Sequence, residues 1–324
     1  MARIRLGRSG LDVSRIAFGA WELGGDWGAT DTDAAVRAIR HAADAGINFF
    51  DTAQGYGFGT SEVLLGRALE GRTREELVIA TKGGLRPTPS GGLVRDSSPD
   101  WISQGIESSL ESLGTEYIDL YQVHWPDPNT PFEQTARVLA EFKDRGKIRH
   151  IGVSNFDADQ MKEFSRTAPV ETLQPPYHLF RRDVERSILP YAMSEDIGVM
   201  VYGPLGHGLL SGALSAGSRF SAPDWRASSP DFRGKAYRTN LQVVVSLKRF
   251  AEKELGTTVS RLAIAWTLAN PAVHSAIVGT RDAGHIDDAI AASELHLDEK
   301  AMREIAEIVR DAVPVEGPSP EMNQ

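Results

Sequence analysis

The sequence contains no cysteine among its 324 residues. Disulfides, thiolate nucleophiles and cysteine-based metal sites are therefore excluded. The chain also lacks an apolar run of the roughly 18 residues that a membrane-spanning helix requires. Its first residues carry charge but are not followed by the apolar core of a secretory signal. We therefore expect a cytoplasmic protein that does not associate with a membrane.

The chain also has no excess of positive charge. The net charge is −9, which argues against binding to nucleic acids or anionic membranes. The eight histidines are scattered along the chain, so the sequence offers no support for a zinc site, and we expect no metal. The P-loop, the H-E-x-x-H motif and the G-x-S-x-G motif are all absent. Residues 55–60 approach the dinucleotide-binding fingerprint, but Thr60 stands where its third glycine is needed, so no Rossmann domain is predicted.

The chain does contain a repeated alternation of short apolar runs with helical patterns. Runs of this length that are bounded by turn residues are typical of strands buried on both faces of a parallel sheet. They cover residues 16–20, 48–51, 77–82, 118–124, 148–154, 172–174, 198–202 and 275–278. Eight parallel strands with helices between them predict an α/β fold, a single-domain (β/α)₈ TIM barrel. Residues 3–6 and the turn at residues 8–10 predict an N-terminal β-hairpin that closes the bottom of the barrel.

No change in composition marks a domain boundary, so we assign residues 1–312 to one barrel domain. Residues 313–324 contain three prolines and are expected to form a loosely held tail. We expect the first helix to begin near Asp31 and to end at Gly46. Thr130 followed by Pro131 and Glu133 predicts a capping box at the start of a later helix.

Three consecutive predicted strands end in ionisable residues, namely Asp51, Lys82 and His124, and Tyr56 follows closely after the first. Because the carboxyl ends of barrel strands share one face, these side chains should converge. Each residue alone also has an ordinary structural interpretation, since a lysine at a strand end is usually solvated and a lone histidine is usually structural. Their combination on one face favours proton-transfer chemistry.

The residue types suit the reduction of a carbonyl group. A free phenol has a pKa near 10, and a neighbouring ammonium group lowers that pKa by favouring the phenolate. Asp51 would keep Lys82 charged, His124 would donate a hydrogen bond to a substrate oxygen, and Tyr56 would protonate that oxygen. Such chemistry needs a hydride donor, which implies a nicotinamide cofactor.

The same residues carry a resemblance to a known family. The chain resembles the aldo-keto reductase superfamily over nearly its whole length, and is most like the bacterial branch related to general-stress reductases and potassium-channel β subunits. The matching segments are residues 50–57 (FDTAQGYG), 80–82 (ATK), 121–125 (YQVHW), 152–156 (GVSNF), 173–174 (LQ) and 202–206 (YGPLG). The resemblance implies reduction of an aldehyde or ketone by NADPH. It assigns Tyr56 as general acid, Lys82 and Asp51 as its tuning pair, and His124 as the residue that orients the carbonyl.

The resemblance also implies a set of cofactor contacts. Hydrogen bonds to the carboxamide would come from Ser154, Asn155 and Gln174, and Tyr202 would stack on the nicotinamide. The remaining implied contacts are Ala20 and Trp21 near the ribose, Gly203, Pro204, Leu205 and Gly206 at the pyrophosphate, and Gly279, Arg281 and His285 at the adenosine end.

The sequence departs from the family pattern at two of these positions and at a third position, Ala289. Gly203 stands where a serine is usual, His285 where glutamine or arginine is frequent, and Ala289 where an asparagine usually contacts the adenine. Arg281 suits the 2′-phosphate of NADPH, and the departures leave NADH as an alternative cofactor.

The substrate, a small carbonyl compound, is expected to contact aromatic side chains. The candidates are Trp21, Trp27, Phe58, Trp125 and Trp225, although a lone tryptophan is more often part of a core. Two alternative functions remain open. One is an NADPH-binding regulatory or redox-sensing subunit with slow turnover. The other is an aldolase that uses Lys82 as a Schiff-base lysine, which the pairing with Asp51 disfavours.

Overall fold

The computed structural model describes residues 1–25, 27, 31–89, 92–280 and 282–320. Eight strands within these residues form one closed parallel barrel, in which strands adjacent in the chain are neighbours and the last pairs with the first. This arrangement confirms the predicted (β/α)₈ fold.

The strands and helices follow one another in regular alternation. In chain order the strands are β1 (Arg3–Arg5), β2 (Asp12–Ser14), β3 (Ile16–Gly19), β4 (Phe49–Asp51), β5 (Val78–Gly83), β6 (Leu85–Pro87), β7 (Leu93–Arg95), β8 (Ile118–Val123), β9 (Ile148–Ser154), β10 (Thr172–Gln174), β11 (Gly198–Tyr202) and β12 (Ser275–Gly279). The helices are α1 (Thr32–Asp44), α2 (Thr60–Leu69), α3 (Pro99–Leu113), α4 (Phe132–Asp144), α5 (Ala158–Phe164), α6 (Ile188–Ser194), α7 (Gly234–Glu254), α8 (Val259–Leu268), α9 (Ala283–Ala292) and α10 (Glu299–Ile308). The barrel consists of β3, β4, β5 and β8 to β12.

The N-terminal hairpin closes one end of the barrel, as predicted. Strands β1 and β2 pair antiparallel, with Arg3 opposite Ser14. Leu6 and Val13 pack into the barrel interior with Phe49 and other apolar side chains. Gly7 lies so close to the start of β11 that a Cβ atom would stand 2.3 Å from the Gly198 nitrogen, so only glycine fits this contact.

Side chains of the barrel strands alternate between two apolar clusters. Phe49 belongs to the cluster inside the barrel, whereas Phe50 belongs to the cluster between the barrel and the surrounding helices. Ala80 lies inside and Ile79 outside by the same rule. Since successive strand residues face opposite sides, the residues at the strand ends have their direction fixed by this register.

The predicted capping box at Thr130 is wrong. The Thr130 hydroxyl donates instead to Asp127 Oδ2 over 2.7 Å, and α4 begins after Pro131 without a side-chain cap. Asp127 also accepts the backbone N–H groups of Ser97 and Asn129, so its carboxylate competes for the threonine hydroxyl. A capping box is present on α5, between Asp157 and Gln160.

The tail expected to be loosely held is attached to the barrel over its described part. Val315 is fully buried and its N–H donates to the Phe180 carbonyl. Val313 exchanges two hydrogen bonds of 2.8 and 2.9 Å with the Asn240 side chain. The proline content indicated that the tail has no regular secondary structure, but it gave no information on these partners, which are distant in the chain.

Candidate active site

Four predicted residues, Asp51, Lys82, Tyr56 and His124, come together at the carboxyl ends of the strands. The strand register directs Asp51, Lys82 and His124 to the inside. The Lys82 side chain is fully buried, and its Nζ donates to Asp51 Oδ2 at 2.7 Å and to the Thr52 carbonyl at 2.8 Å. The same Nζ lies 3.2 Å from the Tyr56 hydroxyl. A buried cation therefore connects a carboxylate to a phenol.

Opposing effects act on the charge of Lys82. Burial lowers its pKa below the ordinary value, while the charge and hydrogen bond of Asp51 act in the other direction. Asp51 is itself held by the Gln174 amide, whose Nε2 lies 2.8 Å from Oδ1. The short contact with an oriented carboxylate keeps the ammonium in place beside the phenol.

His124 completes the group as a neutral imidazole. Its ring packs edge-on against the Tyr56 ring, with centroids 5.6 Å apart. Burial, together with the charge of Lys82, lowers the pKa of His124 well below its usual value. The ring is therefore uncharged at neutral pH and suited to hydrogen bonding rather than to supplying a full proton.

Next to this group lies a hydrogen-bonded set of polar side chains from β9 to β11. The Tyr202 hydroxyl donates to Asn155 Oδ1 over 2.9 Å, and Asn155 Nδ2 donates to the His124 carbonyl over 3.0 Å. Ser154 Oγ donates to the Gln174 carbonyl over 2.8 Å. Asn155 has a left-handed φ of 62°, an uncommon conformation that these contacts hold in place.

A cavity of about 980 Å³ opens above these residues. It extends from Tyr56 and His124 past Tyr202 to Thr280 and His285. Its volume is at the upper end of the range for small-molecule and cofactor sites. An elongated groove with amide and hydroxyl groups on its floor fits an extended dinucleotide with a substrate beside it.

Most of the predicted contact residues line this cavity. They are Trp21, Trp27, Trp125, Ser154, Asn155, Gln174, Tyr202, Gly203, Pro204, Leu205, Gly279 and His285. Ala20, Gly206 and Trp225 are close in the chain to lining residues but do not themselves line it. Arg281 lies outside the described residues.

Phe58 does not reach the cavity. Its side chain is 42% exposed, and it is absent from the cavity wall. Gly57, Phe58 and Gly59 all have positive φ values, of 66°, 43° and 97°. This left-handed run turns the chain so that the ring faces solvent, which the aromatic character of the residue did not reveal.

Trp21, Trp27 and Trp225 meet in one aromatic cluster. Trp21 stacks near Tyr56 and Trp225, with centroids 6.2 and 6.3 Å apart, and meets Trp27 edge-on at 5.0 Å. Trp225 stands behind this wall and contacts His207 at 5.1 Å. Trp225 therefore supports the wall of the cavity from behind.

Several lining residues were missed in the sequence. Leu85 and Leu93 come from the short hairpin of β6 and β7, which follows β5. His207, Arg226 and tail residues 316–320 also line the cavity. His207 and Arg226 lie in the long segment between β11 and α7, whose sequence does not tell which side chains turn inward.

Comparison with known proteins decides the family. A family model described as the aldo/keto reductase family matches residues 15–310. The chain belongs to the aldo/keto reductase family. The predicted family is therefore confirmed, and the protein is an oxidoreductase that depends on a nicotinamide cofactor.

Relatives cover nearly the whole aldo/keto reductase chain. It is 42% identical over 281 residues to the aldo-keto reductase YhdN of Bacillus subtilis (strain 168). The aligned residues cover 86% of this chain and 85% of that protein. It is 35% identical over 329 residues to the NADH-specific methylglyoxal reductase of Escherichia coli (strain K12), covering 95% and 99% of the two chains. Among solved structures, the glycerol dehydrogenase AKR11B4 from Gluconobacter oxydans matches with a TM-score of 0.88 and 37% identity, covering 98% of this chain and 99% of that one.

Proposed function

We propose that this protein reduces an aldehyde or ketone with NADPH, and that Tyr56 is the general acid. The observation that carries the proposal is the position of the Lys82 ammonium between Asp51 and Tyr56, 2.7 and 3.2 Å away. In that position the cation stabilises the negative charge that grows on the phenol oxygen as its proton leaves.

When bound, a reduced nicotinamide would supply a hydride to the carbonyl carbon of the substrate. The π-electron pair of the carbonyl moves to its oxygen, which takes the proton of the Tyr56 hydroxyl, and an alcohol results. Reprotonation of Tyr56 from solvent completes the cycle, and alcohol oxidation is the reverse of these steps.

His124 has a distinct role in this proposal. A protonated imidazole would be a stronger acid than the phenol and would compete with it. Because burial and Lys82 keep His124 neutral, its contribution is a hydrogen bond that orients the carbonyl beside Tyr56.

The nucleotide would lie along the cavity floor. Ser154, Asn155 and Gln174 would hold the carboxamide, with the Tyr202 ring against the nicotinamide. At the other end of the cavity, Asp288 is paired with Arg261 at 2.5 Å, so its charge is compensated near the expected position of the 2′-phosphate. The name of the Escherichia coli relative specifies NADH, so the choice between the two nucleotides needs a direct test.

The substitution Tyr56→Phe tests the acid. We expect reductase turnover to fall at least a hundredfold while the affinity for NADPH, measured by nicotinamide fluorescence, stays within about threefold. Tyr191→Phe, on α6 and away from the cavity, is the matched control and should keep normal turnover. Near-normal turnover in Tyr56→Phe would exclude the proposed acid.

The substitution Arg281→Gln tests the cofactor. We expect the Kd for NADPH to rise at least tenfold, since a charge-assisted contact with phosphate is lost, while the Kd for NADH is unchanged. An equal loss for both nucleotides, or tighter binding of NADH by the unmodified chain, would refute the preference for NADPH.

A further inference from the structure

A second carboxylate is buried close to Lys82, and the proposed reaction has so far given it no part. Glu62 lies in the first turn of α2 and is fully buried. Its Oε1 accepts a hydrogen bond of 2.6 Å from the Thr81 hydroxyl. Thr81 directly precedes Lys82 on β5, and the strand alternation turns Thr81 to the outside of the barrel and Lys82 to the inside.

The surroundings of Glu62 do not fully compensate the burial of its carboxylate. Its Oε2 faces the Ser109 hydroxyl of α3 but makes no hydrogen bond of ordinary geometry among the described residues, and neither does the buried hydroxyl of Tyr121 on β8. A buried carboxylate oxygen without a full set of hydrogen-bond donors destabilises the folded protein. An apolar residue at this position would avoid that cost, so the retained charge calls for another explanation.

The charged and titratable groups that face Glu62 come from two strands. Lys82 on β5 and Tyr121 on β8 interact with it electrostatically, while α3 contributes the uncharged hydroxyl of Ser109. Burial raises the pKa of Glu62, and Thr81, Ser109 and Lys82 act in the opposite direction. In return, Glu62 adds to the effect of Asp51 in raising the pKa of Lys82. Lys82 in turn faces Asp51, Tyr56 and His124.

We propose that Glu62 is a positioning residue for this reaction: held by Thr81, its carboxylate supplies a second negative charge to Lys82 and keeps the Tyr56 phenol protonated where reduction takes place. With Asp51 alone, the Lys82 pair is neutral overall, and its ammonium, 3.2 Å from the Tyr56 hydroxyl, favours loss of the phenol proton. With Glu62 charged as well, the group carries one net negative charge, which opposes early loss of the Tyr56 proton. The inference rests on the proposed function, in which Tyr56 is the acid.

The experiment measures the titration of Tyr56 directly. The chain has seven tyrosines, so ¹³C labelling at Cζ gives a small set of signals, and Tyr56→Phe identifies the relevant one. In Glu62→Gln we expect the Tyr56 midpoint to fall by on the order of one pH unit, because one buried negative charge is removed. Glu111→Gln, an exposed position on the neighbouring helix α3, removes the same charge into solvent and should leave the midpoint unchanged.

The rates of carbonyl reduction and of alcohol oxidation provide a second readout, because a purely structural role of Glu62 would not change them in opposite directions. A midpoint lowered by about one unit reduces the protonated phenol, and hence the reduction rate, roughly fivefold at the wild-type midpoint pH. Alcohol oxidation needs the phenolate and should become faster at that same pH. A purely structural defect would slow both directions together.

An unshifted Tyr56 midpoint in folded Glu62→Gln would overturn the inference. If that variant fails to fold, the double variant Glu62→Met with Thr81→Val replaces both partners of the buried hydrogen bond with apolar groups, a change that proteins tolerate better. It should show the same fall in midpoint, and an unchanged midpoint there would be equally decisive. The titration needs no turnover, so its result is separate from the activity test of Tyr56→Phe.

Discussion

The pair of Lys82 and Asp51 makes a quantitative prediction about stability. The Lys82 side chain is fully buried and that of Asp51 is 4% exposed, so each charge depends on the other for compensation. Removing one partner of a buried pair typically costs about 3–5 kcal/mol, because the remaining charge stays buried. Asp51→Asn should lose that amount, since the ammonium then keeps only neutral oxygen partners. Lys82→Met should lose about 3 kcal/mol, because Asp51 retains the Gln174 donor at 2.8 Å.

The double variant, Asp51→Asn with Lys82→Met, tests whether the stability losses of the two single variants are coupled or simply additive. With both charges removed, neither is left uncompensated, so we expect a loss about 3 kcal/mol smaller than the sum of the single losses. Urea denaturation followed by tryptophan fluorescence measures each free energy of unfolding. Additive losses would show that the two side chains are not energetically coupled and would refute the reasoning.

The same variants predict a pH dependence. Burial lowers the pKa of Lys82 in the folded state, and without Asp51 the lowering becomes larger. Between that lowered value and about 10.4, the ordinary lysine pKa, the unfolded chain binds more protons than the folded one. The free energy of unfolding of Asp51→Asn should therefore rise with pH through this window, and it should rise relative to the wild type between the two folded-state pKa values of Lys82. A relative fall would contradict the assigned direction.

Three further predictions follow from neighbouring contacts. His124 is neutral when folded, so below about pH 6.5 the wild type should lose about 1.4 kcal/mol per pH unit relative to His124→Gln, measured by denaturation at several pH values. Asn240→Ala removes both hydrogen bonds to Val313 and should cost about 2 kcal/mol in thermal or urea unfolding. It should also raise KM for the carbonyl a few fold by loosening the tail that lines the cavity, and an unchanged KM would exclude that link. Tyr202→Phe loses the bond to Asn155 and about 1 kcal/mol of stability, yet should change nucleotide affinity less than threefold if the ring stacks as proposed.

Sequence patterns were informative where the signal was local. The apolar run before Asp51 predicted β4 within one residue, and similar runs located the other barrel strands. The start of α1 near Asp31 was also predicted, and in the structure the Asp31 carboxylate caps the helix by accepting the N–H groups of Asp33 and Ala34. The capping box predicted at Thr130 is absent, and the hydroxyl of that threonine donates to Asp127 instead.

The position of the candidate catalytic group followed from one general rule. Parallel strands end on one face of a barrel, so Asp51, Lys82 and His124 had to approach one another once their strands were adjacent. Lys82 contacts Tyr56 because the turn after β4 brings the phenol back over the barrel end. That contact was expected from chemistry, and its distance of 3.2 Å came only from the structure.

The sequence by itself determined the positions of the barrel strands, the alternation of inward and outward residues, and the chemical types available at the barrel face. It did so because these properties depend on neighbours within a few residues. Tertiary structure alone decided that Phe58 faces solvent, that the tail packs against Asn240, and that Glu62 is buried against Thr81. Each of these depends on a backbone turn or a partner distant in the chain, and such contacts leave no periodic signal in the sequence.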